Sequence, residues 1–186
     1  VKVLLIRHGQ TIGNLHKRYI GRTDEPLCSE GINALKCTEM PECDLVITSP
    51  MKRCIQTAEI LFPGAEPVVC NDLRECDFGD FEGKNYLELS CDPNYQRWID
   101  SYGTLPFPGG ESPDTFRKRC VSAFSEISEQ YYSFGCIALV VHGGTIMSIM
   151  SRYAVPHKDY FDWNIPNGHG YLCQFKQNSL YLLEYI

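Results

Sequence analysis

The chain has no run approaching the ~20 consecutive apolar residues of a bilayer-spanning helix, so a helical membrane protein is not expected. The apolar stretch at the N-terminus is short and carries a single lysine, too brief for a secretory signal. Basic charge is also scarce. Seventeen Lys and Arg against 23 Asp and Glu leave a formal charge of −6, with a pI near 5.3. Nucleic acid is therefore not the expected partner, because phosphate-backbone binding rewards basic surface. A small anion stays compatible, since a local Arg/His pocket can be positive on an acidic protein. Ten cysteines are present, but C-x-x-C pairs and zinc spacings are lacking. Cys54 and Cys120 fall in helical patterns, and Cys70, Cys136 and Cys173 in strand-like runs, where each suits a small buried hydrophobe. They read as reduced packing residues of a reducing, cytoplasmic compartment, with no disulfide framework and no metal site. None has the histidine neighbour that would activate its thiol. Repeats, low-complexity tracts and interdomain linkers are missing too, so residues 1–186 read as a single globular domain.

What is present alternates in a regular way. Val1–Ile6 reads as a strand and Arg7–Cys28 as a long functional loop. Ser29 is the expected N-cap of a helix over Glu30–Met40, stopped by Pro41. A strand at Asp44–Thr48 precedes Ser49-Pro50, a capping side chain and a first-turn proline that open a helix from about Met51 to Phe62. Pro67–Cys70 is a third strand. Asn71–Ser112 is irregular, rich in Gly and Pro, with a short helix near Asn94–Tyr102; long segments of this kind tend to carry function. Phe116, Cys120, Phe124 and Ile127 have helical spacing between Pro113 and Tyr131. Cys136–Val141 is a strand, Gly144–Tyr153 a helix, and Gly170–Phe175 and Leu180–Ile186 form a hairpin around Lys176–Ser179. Strands alternating with helices predict an α/β three-layer sandwich with a mainly parallel central sheet and helices on both faces.

The chemistry sits where strands end. Arg7-His8-Gly9 follows one apolar run and His142-Gly143-Gly144 another, at the edge where open α/β sheets bind ligands. A neutral imidazole can attack phosphorus near neutral pH. An arginine forks two donors onto a phosphate. Arg53 lies in the first turn of the helix after Ser49-Pro50, so the helix N-terminus and the guanidinium can face one anion. Glu75 is a candidate general acid beside such a pocket, with Asp77, Asp80 and Glu82 as competitors. His142 would donate to phosphoryl oxygens, and the glycines after it would let substrate approach closely. His16 and His157 read as surface residues. His169, Lys17, Arg22 and Arg74 are candidates for the pocket mouth or for distal substrate charges. Trp98, Trp163, Tyr95 and Phe107 are read as core or as a lid, the sharper reading being a stacking platform for an aromatic substrate.

Taken together, these segments resemble the histidine phosphatase superfamily, of phosphoglycerate mutase-like fold. The resemblance runs through Arg7-His8-Gly9-x-Thr11, Tyr19-x-Gly21-x-x-Asp24-x-x-Leu27-x-x-x-Gly31 and Ser49-Pro50-x-x-Arg53-x-x-x-Thr57-Ala58. It continues through Leu73-x-Glu75, Phe78-Gly79, Glu82-Gly83, Pro108-x-Gly110-Glu111-Ser112 and Val141-His142-Gly143-Gly144. It implies that His8 is transiently phosphorylated and that Arg7, Arg53 and His142 form the phosphate pocket. Asn14, Gly21 and Gly143 would add binding contacts, and Glu75 would be the proton donor and later the base. Neither a metal nor another cofactor is implied, since the cations are side chains. Gln10 and Cys28 depart from the family pattern, where glutamate and threonine are frequent.

Within that resemblance the expected activity is a phosphomonoesterase acting on a small phosphorylated metabolite. Size and the Gly110-Glu111-Ser112 stretch look similar to α-ribazole-5′-phosphate phosphatases. A cofactor-dependent phosphoglycerate mutase is the alternative, disfavoured because a mutase needs long elements that close over its intermediate. A non-catalytic module that binds phosphorylated ligands is the third reading. Membrane partners are not expected, and a homodimer is left open.

Overall fold

Backbone pairing in the computed structural model, which describes residues 1–186, joins seven strands into one sheet. They are β1 (Lys2–Arg7), β2 (Leu45–Thr48), β3 (Val68–Val69), β4 (Cys136–Val141), β5 (Ala154–Val155), β6 (Gly170–Lys176) and β7 (Ser179–Tyr185). Their order across the sheet is β3-β2-β4-β1-β6-β7-β5. β3, β2, β4 and β1 run parallel, while β6 is antiparallel to β1 and β7 antiparallel to β6. The sheet is thus mixed, with a parallel half that carries the strand-end histidines.

Alternation along β1 shows why this is a three-layer sandwich. Val3 and Leu5 enter a core with Phe124 and Ile127 of α5 (Pro113–Gln130) and Ile146, Ile149 and Met150 of α6 (Gly143–Tyr153). Leu4 and Ile6 enter the opposite core, with Leu35 of α2 (Ser29–Lys36) and Cys54, Ala58 and Leu61 of α3 (Lys52–Leu61). Period-two side chains on a doubly covered strand produce this division directly. A third cluster, Cys76, Phe81, Leu89, Phe107, Phe116 and Cys120, anchors the irregular 71–112 segment and α4 (Pro93–Asp100) over the sheet edge. No helix is long and apolar enough to cross a membrane.

Several local expectations need correction. The first long loop contains a short helix, α1 (Ile12–Leu15), because Thr11 and Asn14 form a reciprocal cap. Helix α2 is capped by Cys28, whose Sγ accepts from Gly31 N at 3.4 Å; it ends at Lys36, before Pro41 can act as the stop. Ser49 does not serve as a helix cap, since Met51 occupies that position with no side-chain bond. The strand β5 and a short 3₁₀ turn at Tyr160–Trp163 were not foreseen. Gln177 and Asn178, at φ 50 and φ 57, form the tight turn between β6 and β7, the left-handed pair that two-residue hairpins require. The ten cysteines carry free thiols, and Cys43 Sγ and Cys136 Sγ approach to 3.1 Å.

Candidate active site

The parallel strands β1 and β4 end side by side, at His8 and His142. The His8 backbone N–H donates to Val141 O at 2.9 Å, which locks the end of β1 to the end of β4. Its Nδ1 faces Gly9 O at 2.7 Å. A carbonyl only accepts, so the ring proton sits on Nδ1 and Nε2 carries the free lone pair. The imidazole is almost wholly buried. Burial first, then the charges of Arg53 and Arg7, hold its pKa well below the usual imidazole range. A neutral ring with an exposed lone pair on Nε2 is a nucleophile at physiological pH.

His142 packs edge-on against this ring, with centroids 5.2 Å apart. It is fully buried and is likewise held neutral, by burial first and then by the charges of Arg53 and Arg7. Directly after it, α6 begins, so the first turn of that helix presents backbone N–H groups and the positive end of its dipole at the strand ends.

Two guanidiniums complete the cradle. Arg53 is fully buried; its Nη1 donates to Thr23 O at 2.8 Å and its Nη2 to Gly21 O at 2.9 Å. Arg7 donates from Nη1 to Ile165 O at 2.7 Å, and Gly143 lies against its guanidinium. In both arginines Nε is buried and has no partner in the protein. Backbone carbonyls therefore fix the orientation of each fork without neutralising it. A buried and a half-buried cation, each with a buried unpaired Nε–H, form a site that favours a dianion.

Glu75 is the one carboxylate close to that charge. It accepts from Cys76 N at 3.0 Å and from Gly144 N at 3.3 Å. Burial raises its pKa against the pull of those two amides and of Arg53 and Arg7. Its competitors are engaged elsewhere. Glu82 accepts from the amides of Gly21, Arg22 and Phe78, which fastens the 71–112 segment to the first loop. Asp77 accepts from Gly79 N at 2.8 Å and pairs with Arg22. Asp80 is exposed and faces Gly109. Glu75 and Arg7 share the wall of a cavity of about 290 Å³ with Tyr19, Phe78, Trp98, Phe107, Phe116 and Tyr160.

The chain is similar to known proteins in sequence and in fold. A family model described as histidine phosphatase superfamily (branch 1) matches residues 3–185. The chain belongs to the histidine phosphatase superfamily. The adenosylcobalamin/α-ribazole phosphatase of Escherichia coli K12 is 28% identical over 160 residues, covering 82% of this chain and 78% of that one. Phosphoglycerate mutase-like protein 4 of Arabidopsis thaliana is 30% identical over 162 residues, covering 81% and 70%. The solved α-ribazole phosphatase of Shigella flexneri superposes with a TM-score of 0.88 at 24% identity, covering 100% of this chain and 96% of that one. The fold is therefore the phosphoglycerate mutase-like α/β sandwich. Membership places the chain among phosphatases and mutases that act on phosphoric monoesters.

The remaining candidates of this histidine phosphatase separate by position. Asn14 lies beside the cleft, but its Oδ1 accepts from Thr11 and from Asn167 Nδ2. The Gly21 N–H donates to Glu82, and its carbonyl holds Arg53; a Cβ there would stand 1.8 Å from Cys76 O, so only glycine fits. Arg22 and Arg74 line a second, polar cavity that shares Glu75. His169 is exposed, stacks on Tyr185 and lines neither of these cavities. Trp163 is buried in the main core, whereas Trp98 and Phe107 face the cleft. Sequence reading missed Ser49, whose hydroxyl is 2.7 Å from His142 Nε2, and Thr57, whose Oγ1 accepts from Gly9 N. Ser-Pro before a helix signals a cap, and nothing local distinguishes a serine bonded across the sheet instead. One cysteine does meet a histidine in space, which the chain order does not reveal: Cys54 Sγ lies 3.6 Å from His142 Nε2. Burial pushes that thiol up to about 12, so it is not an activated nucleophile.

Proposed function

We propose that the protein is a phosphomonoesterase that hydrolyses a small phosphorylated metabolite through a phosphohistidine on His8. The observation that carries this reading is the pinned His8 ring, Nε2 without a protein partner, within the influence of the Arg53 and Arg7 charges, whose buried Nε–H groups are unpaired. In the first step Nε2 attacks phosphorus and the P–O bond to the leaving group breaks. Glu75 passes its proton to the departing oxygen. In the second step the Glu75 carboxylate takes a proton from water, the hydroxide forms a P–O bond, and the N–P bond breaks to return His8 and release phosphate. Arg7, Arg53, His142 and the Gly143 amide hold the three equatorial oxygens throughout. Most of the rate enhancement in such a transfer comes from positioning and fixed charge.

For the leaving group, the aromatic wall of the cavity beside Glu75 favours a substrate bearing a flat apolar ring, and we nominate α-ribazole 5′-phosphate. Arg117, over the Tyr160 ring at 4.1 Å, is the one cation in that cavity besides Arg7. A phosphoglycerate mutase must grip a carboxylate and a second phosphate, and a wall of this kind serves that poorly. The mutase reading is retained because mutase-named relatives match over most of the chain. A non-catalytic binding module is disfavoured by the presence of both nucleophile and acid. Phosphate release from α-ribazole 5′-phosphate and a panel of phosphorylated metabolites tests the proposal. Rapid isomerisation of 3-phosphoglycerate with a bisphosphoglycerate primer, without phosphate release, would overturn it in favour of the mutase.

A further inference from the structure

A neutral imidazole has one ring proton, and the position of that proton decides what His142 can do. Both its nitrogens are buried among the Arg7 and Arg53 charges, so a second proton is disfavoured. Nε2 meets Ser49 Oγ at 2.7 Å, and that serine is itself fully buried. The neighbours decide the direction of the bond. The Met51 amide approaches Ser49 Oγ at 3.5 Å as a donor, and the buried hydroxyl meets no carbonyl or carboxylate, so Nε2 is the acceptor for its proton. The Cys54 thiol, the other group near Nε2, has Val141 O as its own acceptor at 3.6 Å. Ser49 in turn is held in place by its backbone N–H, which donates to Val140 O at 3.1 Å across the β2–β4 seam.

We propose that Ser49 is a positioning residue whose hydroxyl donates to His142 Nε2 and so keeps the ring proton of that imidazole on Nδ1, available to the transferring phosphoryl group. The inference rests on the phosphohistidine reading above. It gives the two imidazoles complementary tasks from the same tautomer. His8 spends its Nδ1 proton on Gly9 O and attacks with Nε2; His142 spends its Nε2 lone pair on Ser49 and donates from Nδ1. Without the hydroxyl, Nε2–H and Nδ1–H forms compete, and part of the population presents a lone pair where phosphoryl oxygens need a donor.

Removing one fixed donor to a developing oxyanion typically slows a reaction by about 100- to 1000-fold. Ser49→Ala retains the ring and part of the correct tautomer, so the expected loss is smaller, about 10- to 100-fold. The readout is the single-turnover rate of His8 phosphorylation, with KM expected to change by less than about threefold because charge, not the tautomer, dominates ground-state binding. Ser49→Thr keeps the hydroxyl and is expected to restore most of the rate. Independently of any variant, 15N spectra of the wild-type protein should show His142 protonated on Nδ1 and bare at Nε2. An Nε2–H tautomer in the wild type overturns the proposal, as does a folded Ser49→Ala that phosphorylates His8 within about fivefold of the wild-type rate. If the wild type forms no phosphohistidine at all, it is the underlying reading that fails.

Discussion

Replacing Glu75 with glutamine isolates the proton it is assigned to carry. The side chain keeps its size, but glutamine offers one acceptor oxygen where the carboxylate offers two, so either the Cys76 amide at 3.0 Å or the Gly144 amide at 3.3 Å loses its partner. What disappears is the acid. An alkoxide leaving group needs that proton, and loss of a placed general acid costs about 100- to 10,000-fold. At 1.36 kcal/mol per decade this is about 2.7 to 5.4 kcal/mol of barrier. A 4-nitrophenolate leaves without protonation, so 4-nitrophenyl phosphate should lose less than about tenfold. Stability should move with pH in a defined sense. Burial raises the folded-state pKa of Glu75 above its unfolded value. Between those two values the folded chain holds more protons than the unfolded one, so stability falls as pH rises through that window. The glutamine variant lacks this penalty, and its melting temperature should gain on the wild type over the same range. Single-turnover release of the alcohol from an alkyl phosphate and of 4-nitrophenolate from 4-nitrophenyl phosphate, measured side by side, isolates the first step and decides the matter. Equal losses on the two substrates would refute Glu75 as the acid.

Inorganic phosphate or vanadate should raise the melting temperature, since an oxyanion supplies counter-charge to the half-buried Arg7 and the buried Arg53. At 100 times its Kd the gain is about 2.7 kcal/mol, and Arg53→Met should abolish it; an unshifted wild type would contradict the cradle. Gly21→Ala forces a Cβ to within 1.8 Å of the Cys76 carbonyl oxygen. It should cost about 3 kcal/mol or more in urea denaturation, and a loss under about 1 kcal/mol would show that the backbone yields there. The folded-state pKa values of His8 and His142 lie well below the ordinary 6.5. As pH falls below that value the unfolded chain takes up protons that the folded chain refuses, so stability declines with acidification. Urea midpoints across that range should fall in the wild type and fall less in His142→Gln; equal slopes would contradict two buried neutral imidazoles.

Regular elements were legible where a side-chain period and burial coincide. Phe116, Cys120, Phe124 and Ile127 are all buried on one stripe of α5, and Cys136–Val141 is a strand with every residue buried. The antiparallel edge was legible only as a hairpin, because nothing in β6 states that it pairs with β1. Helix ends were less legible. Cys28 caps α2 through a weak sulfur acceptor that propensity rules do not favour, and α1 depends on a reciprocal Thr11–Asn14 bond four residues long. Residue type and strand-end placement pointed to Arg7, His8 and His142, whereas Arg53 and Glu75 were singled out by the family resemblance, residue type alone leaving Asp77, Asp80 and Glu82 open beside Glu75. The partners that orient them could not be read, since most are backbone carbonyls: Gly9 for His8, Ile165 for Arg7, Gly21 and Thr23 for Arg53. A carbonyl belongs to every residue, and only the fold determines which one faces a guanidinium. Glu75 separates from Asp77, Asp80 and Glu82 by the same route, because those three are spent on amides or turned to solvent.

The most direct measurement is chemical trapping of the covalent intermediate. Protein mixed with a 32P-labelled phosphomonoester and quenched in alkali, which preserves N–P bonds, should carry label on Nε2 of His8, and His8→Ala should carry none. Hydrolysis that proceeds without any labelled His8, or label recovered on a different side chain, would contradict the assignment of that imidazole as the nucleophile.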